Sequence, residues 1–178
     1  MKKSAVLLLV FLISFVSKAQ VKNTSYQTAS GEKVLRLEFT VPLDKRGAWQ
    51  LFTNDAQMKR WMAPQVHIDL KSGGTIITNY DSTKSLSDSS SIKLPIVNYL
   101  EGELLTLQVI LNDHFPKQQQ QEDEHLQEVI QFLPVSPGKT KIVSSMIGWG
   151  KGEGWNKTYD FFVKGNTWTY EELLKLFK

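Results

Sequence analysis

The sequence predicts an α+β fold, in which a curved antiparallel sheet of about six to seven strands packs against a long C-terminal helix. One observation is a series of short segments with alternating apolar and polar residues, as in residues 33–41, separated by turn-forming residues. The other is residues 149–178, where Trp155, Tyr159 and Phe162 recur at helical spacing. Helices gathered at the ends of a run of hairpins are typical of an α+β layer fold.

Two short helices are expected directly after the first strand. Pro42 ends that strand, because proline has no backbone N–H to donate. Asp44 and Asp55 can each cap a helix, and the second helix stops before Pro64.

Six more strands are predicted from their patterns, at residues 66–70, 75–80, 92–100, 105–111, 126–133 and 140–149. Gly73 and Gly74 lie between the first two of these, where a tight hairpin needs positive φ angles. Residues 81–91 and 117–124 are polar and are interpreted as loops.

Residues 1–19 have the pattern of a signal peptide. Lys2 and Lys3 precede a mainly apolar run at 5–16, which is too short to span a bilayer, and small residues then precede a cleavage site between Ala19 and Gln20. We therefore expect a secreted or periplasmic protein with no transmembrane anchor after processing; the alternative is an uncleaved N-terminal anchor. Residues 20–32 are interpreted as a flexible arm, and residues 33–178 as a single domain.

Composition excludes several classes of function. The chain has 21 Lys+Arg and 18 Asp+Glu, and removing the three lysines of the predicted leader leaves 18 of each. A chain with equal numbers of basic and acidic residues has no excess positive charge to attract nucleic acid. The chain has no cysteine, and its three histidines show no metal-ligand spacing, so we expect neither a cofactor nor a metal.

Three short motifs, in this order of elements, carry a family resemblance: residues 61–64 (WMAP), residues 70–74 (LKSGG) and Gly154-Trp155 at the start of the last helix. Over residues 33–178 the chain resembles the START-like (SRPBCC) helix-grip superfamily, and within it the branch similar to the activator of the heat-shock protein 90 ATPase. The resemblance implies a curved sheet wrapped around one helix, often with a cavity for lipids, polyketides or other apolar molecules. It also favours one helix, kinked or thinned at Gly165, over two helices with a new start at Thr169.

The aromatic residues of the last helix are the best lead to a site. Each could bury roughly 150–250 Å², enough to hold the helix on the sheet. Whether the space between is filled or open is left undecided. If a cavity exists, Tyr80, Tyr99 and Tyr159 are its natural polar groups, and His67 is either such a group or an ordinary histidine. The candidate pocket residues are Trp61, His67, Tyr80, Tyr99, Met146, Trp155, Tyr159 and Phe162.

Three functions fit these observations. The leading hypothesis is a non-catalytic domain that binds a small hydrophobic ligand between sheet and helix. The second is an enzyme of the cyclase or hydrolase kind, using groups such as His67 or Tyr159 as acid or base. The third is a protein-interaction module with a solid core. The superfamily has no common catalytic set, so no catalytic residue is assigned.

Overall fold

The computed structural model describes residues 20–178, so the predicted signal peptide at 1–19 lies outside the described residues. Nine strands are present in the described part: β1 Lys22–Asn23, β2 Tyr26–Gln27, β3 Lys33–Val41, β4 Gln65–Ile68, β5 Thr75–Asn79, β6 Ile92–Leu100, β7 Leu104–Gln108, β8 Gln127–Ser136 and β9 Lys139–Ile147. Four helices accompany them: α1 Lys45–Thr53, α2 Asp55–Met58, α3 Lys117–Glu122 and α4 Glu153–Lys175.

All strand pairs are antiparallel, in the order β1-β3-β9-β8-β7-β6-β5-β4, with β2 also paired to β3. The predicted α+β class, with an antiparallel sheet, two short helices after the first long strand and a long C-terminal helix, is confirmed. The core lies on one face of the sheet, where the inward residues of β3, β8 and β9 meet α1 and α4.

The sheet has more strands than predicted, because residues 22–27 pair with β3. Lys22 lies opposite Glu38, and Tyr26 lies opposite Val34. Strands of two residues are too short to show alternation in a sequence. The N-terminal arm is therefore tied to the sheet along this stretch rather than loose.

The last helix is continuous from Glu153 to Lys175, which confirms the prediction of one helix. Thr169, the candidate cap of a second helix, donates its hydroxyl to the carbonyl oxygen of Gly165 at 2.9 Å instead. This bond to the preceding turn is compatible with an unbroken helix.

The structure corrects the cap predicted for α2. Asp44 caps α1 as expected, since its Oδ1 accepts from the N–H of Gly47 at 2.7 Å. The cap of α2 is Asn54 rather than Asp55. Asp55 is the first helical residue, and its Oδ1 accepts from the N–H of Ile68 at 3.0 Å, which ties α2 to β4.

Two further expectations differ from the structure. Gly73 has a positive φ of 78°, but Gly74 does not; a Cβ on Gly74 would lie 2.0 Å from the carbonyl oxygen of Asp69. Close backbone approach, not φ, therefore requires the second glycine. The predicted loop at 117–124 contains α3, because its run of glutamines favours a helix. Gln119 of α3 is buried against Gly154.

A cavity beneath the C-terminal helix

The space between α4 and the sheet is open, with a cavity of about 500 Å³. Five residues of α4 line it: Phe161, Phe162, Asn166, Thr169 and Tyr170. The sheet contributes Ile92 and Leu94 of β6, Glu128 of β8 and Met146 of β9. The lining is mainly apolar, with a few polar groups, which is the usual composition of a small-molecule site.

Strand alternation explains how a carboxyl group comes to lie in this cavity. Glu128 shares a face of β8 with Ile130 and Phe132, which are buried in the core. Its cross-strand partner on β9 is Met146, and Ser144 lies two residues before Met146 on the same face. The period of two therefore directs Glu128 towards the helix rather than towards solvent.

Two hydroxyl groups hold the carboxyl group of Glu128. Ser144 Oγ donates to Oε1 at 2.5 Å, and the Tyr170 hydroxyl donates to the same oxygen at 2.6 Å. These lengths are typical of hydroxyl bonds to a carboxylate. Since Ser144 lies on β9 and Tyr170 on α4, the carboxyl group joins three elements at one end of the cavity.

Burial shifts the proton equilibria of this cluster. Desolvation raises the pKa of Glu128, and the hydrogen bonds from Ser144 and Tyr170 oppose part of that rise. The side chain is only half-buried by surface area because part of it faces the cavity, although protein encloses the carboxyl group. Desolvation also raises the pKa of Tyr170 well above its usual value, and the charge of Glu128 adds to this rise. Tyr170 therefore stays protonated and acts as a donor.

The second oxygen of Glu128 faces the cavity. No side chain or backbone group of residues 20–178 donates to Oε2. In the same residues, no buried side-chain oxygen or nitrogen lacks a partner. Oε2 must therefore have accessible surface, and Glu128 is part of the cavity wall. The cavity thus presents one unused carboxylate oxygen to whatever enters it.

The opposite end of the cavity is aromatic and opens to solvent. Phe115 stacks on Phe162 with ring centroids 5.5 Å apart and meets the edge of Phe161 at 5.1 Å. Phe161 is 57% exposed, and Ile110 and His114 are also exposed parts of the lining. The mouth of the cavity therefore lies between Phe161 of α4 and the segment that leads into α3.

Three of the predicted pocket residues line this cavity: Tyr80, Met146 and Phe162. Tyr80 is exposed, and its hydroxyl lies 3.6 Å from the sulfur of Met62, another residue of the lining. Met146 accepts through its sulfur from Asn166 Nδ2 at 3.2 Å. That any of these residues binds a ligand stays a prediction.

The other five predicted residues lie outside the cavity lining. Trp61 and Trp155 are buried, and their indole N–H groups donate to Leu51 O at 2.9 Å and Glu122 Oε2 at 2.8 Å. The remaining three make contacts elsewhere: Tyr99 lies against Trp49 (centroids 6.1 Å apart), Tyr159 packs on Trp149 (5.0 Å), and exposed His67 lies 3.4 Å from Asp55 Oδ2.

Glu128, Asn166 and Tyr170 were not predicted as pocket residues, although the sequence contains a signal for each. Glu128 interrupts the apolar face of an alternating strand, at a position where a hydrophobic residue is expected. Asn166 and Tyr170 continue the helical spacing of Phe162 at intervals of four. A charged residue on an inward face is informative because such groups are rarely buried without a partner.

Within residues 20–178, no group of three or more His, Asp or Glu side chains is placed to hold a metal ion. None of the helices described is both long and apolar enough to cross a membrane.

A family model described as activator of Hsp90 ATPase homolog 1-like protein matches residues 45–178. The chain belongs to this family. The match covers α1 through α4, including the lining of the cavity, and the helix-grip architecture described above agrees with it. Comparison with curated proteins gives no significant match.

Solved structures with the same fold include relatives of low sequence identity. The Aha1 dimer of Colwellia psychrerythraea is 15% identical, with a TM-score of 0.58, covering 80% of this chain and 92% of that one. An HSP90 activator of Plasmodium falciparum is 14% identical, with a TM-score of 0.51 and coverages of 69% and 78%. A conserved protein of unknown function from Enterococcus faecalis is 15% identical, with a TM-score of 0.50. The match covers 70% of this chain but only 60% of the length of that protein. At these identities the likeness concerns the fold alone.

Proposed function

We propose that this protein binds a small, mainly apolar molecule in the cavity between α4 and the sheet, without catalysis. The observation that carries the proposal is an open cavity of about 500 Å³ where a solid core could have formed. Its size falls within the roughly 300–1,000 Å³ of known small-molecule sites. An unfilled apolar space lowers stability, so its presence favours a role in binding.

The two alternatives have less support. A solid-core interaction module does not fit a cavity of this size beneath the main helix. The cyclase or hydrolase hypothesis relied on His67 or Tyr159 as acid or base, and neither residue lines the cavity. Glu128 does line it, but two hydroxyl groups already share one of its oxygens.

A neutral apolar dye such as Nile red tests the proposal by fluorescence titration. Ile92→Trp should fill part of the cavity from its half-buried wall and weaken dye binding by about tenfold or more. Leu133→Trp is the matched control, since Leu133 is an exposed residue of β8 that does not line the cavity. Equal dye affinity in the wild type and Ile92→Trp, with both folded by circular dichroism, would contradict binding in this cavity.

We further propose that residues 1–19 direct export and are removed after Ala19. The basic start and the short apolar run support this, as does the position of Val21, which is buried against the core. Cleavage after Ala19 retains Val21, whereas cleavage two residues later would remove it. Expression in a Gram-negative host should give a periplasmic protein, and its mass by intact mass spectrometry should equal that of residues 20–178. A full-length cytoplasmic product would contradict export.

A further inference from the structure

We propose that the cavity selects a hydrophobic amine, in which a protonated amino group pairs with Glu128 Oε2 and the apolar body fills the aromatic end. This inference rests on the proposed function, and it names the chemical class of the ligand. It follows from the charge of the cavity wall, the free acceptors on that wall and the rings opposite Glu128.

The carboxyl group of Glu128 has no cationic partner among the described residues of the cavity wall. Among residues 20–178, no lysine or arginine lines it, and the one basic side chain of the lining, His114, is exposed at the mouth. Among the described residues, Glu128 forms no ion pair with a Lys, Arg or His side chain. A carboxylate enclosed in an apolar space is costly unless a cation pairs with it. A cationic ligand would supply that partner.

Two further oxygen atoms of the cavity wall, on Asn166 and Thr169, are free to accept hydrogen bonds. Asn166 donates its Nδ2 hydrogen to the sulfur of Met146, which is the cross-strand partner of Glu128. The Oδ1 of Asn166 accepts no hydrogen bond from residues 20–178. Thr169 donates its hydroxyl to Gly165 O, which leaves its oxygen lone pairs available. With Glu128 Oε2, these oxygens offer three acceptors on the cavity wall, the number of donors that an ammonium group carries.

The aromatic end of the cavity suits the apolar body of such a ligand. The stacked rings of Phe115 and Phe162 and the edge of Phe161 form an apolar surface at the other end of the cavity. An acidic ligand would place a second negative charge beside Glu128. A neutral alcohol could donate one hydrogen bond to Oε2 but would leave its charge uncompensated. The geometry therefore favours the amine over both.

Three molecules with the same apolar body separate these cases: 1-adamantylamine, 1-adamantanol and adamantane-1-carboxylate. Calorimetric titration of each into the wild-type protein compares the ammonium, hydroxyl and carboxylate groups directly. We expect the amine to bind at least about tenfold more tightly than the alcohol, and the carboxylate to bind most weakly.

The variant Glu128→Gln keeps the shape of the side chain and removes its charge. It should reduce the ratio of amine to alcohol affinity at least about tenfold. Glu171→Gln is the control, because Glu171 is exposed on α4 next to Tyr170 but does not line the cavity, and it should keep the wild-type ratio. Circular dichroism of both variants establishes that they are folded.

The outcomes distinguish the two proposals. If the alcohol binds as tightly as the amine, or if Glu128→Gln keeps the amine preference, the amine inference is overturned while binding of apolar molecules stands. If no member of the series binds and Nile red also fails to bind, both the inference and the proposed function are overturned.

Discussion

Glu128 is an acidic side chain at a position where the strand pattern calls for an apolar one. Its carboxyl group is enclosed between β8, β9 and α4, and Ser144 and Tyr170 compensate only one of its oxygens. Its pKa is raised by desolvation. The protonated carboxyl group is therefore compatible with the folded state, whereas its ionisation lowers the free energy of unfolding.

Glu128→Gln should therefore raise the melting temperature at neutral and alkaline pH. Because the folded-state pKa of Glu128 lies above the usual 4.5, the wild type loses stability as pH rises from about 4.5 through that raised pKa. At pH 4 the carboxyl group is mostly neutral in both states, so the difference between wild type and variant should be smallest there. Thermal unfolding at pH 4, 6 and 8 measures it; a gain that is largest at pH 4 would contradict the assignment.

Gly148 provides a second test of a single residue. It has a φ of 85°, and a Cβ there would lie 1.9 Å from the carbonyl oxygen of His125. Gly138, in the turn between β8 and β9, has a φ of 69°, but no atom in the described part of the chain lies within 4 Å of its Cβ position. Gly138→Ala should cost roughly 1–3 kcal/mol for backbone strain alone, whereas Gly148→Ala should cost more, because the backbone of His125 must also move. Urea denaturation compares the two variants, and equal losses would show that the clash is relieved without cost.

The candidate site was partly predictable from individual residues. The spacing of Trp155, Tyr159 and Phe162 indicates which face of the helix points inward, but not what lies beneath each turn. Segments distant in sequence decide that: Glu122 of α3 binds the indole of Trp155, and Trp149 packs on Tyr159. The first turns of α4 are therefore covered, and the cavity begins only at Phe161.

At the scale of elements, α4 contains two glycines with opposite surroundings. A Cβ on Gly165 would have no atom of residues 20–178 within 4 Å, while a Cβ on Gly154 would lie 2.3 Å from Nε2 of Gln119, a buried side chain. Both residues are in the same helix. Substitution of Gly165 by alanine therefore measures helix propensity alone, whereas the same substitution of Gly154 also measures packing against Gln119.

Gly165→Ala should stabilise the protein by roughly 0.5–1 kcal/mol, since alanine loses less conformational entropy than glycine in a helix. For a chain of this size, that corresponds to a rise of about 1–4 °C in Tm. Gly154→Ala should gain less or lose stability, because Gln119 must shift to make room. Differential scanning calorimetry of both variants checks the pair, and a larger gain for Gly154→Ala would show that Gln119 does not pack tightly against the helix.

The elements that could be predicted are those with a long periodic pattern. The alternation in β3 and the spacing along α4 each extend over enough residues to identify the element. The helix α3 was missed because its six residues are all polar, and a short polar run is compatible with a loop as well as a helix. The cap at Asn54 was missed because Asp55 beside it is an equally good capping residue.

At the scale of the whole molecule, residues 20–27 complete one edge of the sheet. β1 pairs with residues 37–38, β2 pairs with residues 33–34, and between them Thr24 and Ser25 bond to the backbone of Arg36. The other edge of β3 is covered by β9. Without the N-terminal segment, the first long strand would present unpaired backbone groups to solvent, which promotes association between chains.

A protein that begins at Thr28 should therefore be less stable than one that begins at Gln20 and more prone to aggregate. Val21 alone is 8% exposed and packs on the core, so Val21→Ala should cost about 1–2 kcal/mol, or roughly 2–8 °C in Tm. Val135→Ala is the matched control, because Val135 is 59% exposed and its truncation should change Tm little. Thermal unfolding with light scattering measures both effects. If the shortened chain kept the same Tm and stayed monomeric, the N-terminal strands would contribute nothing to the sheet, and the arm would be as loose as its composition first indicated.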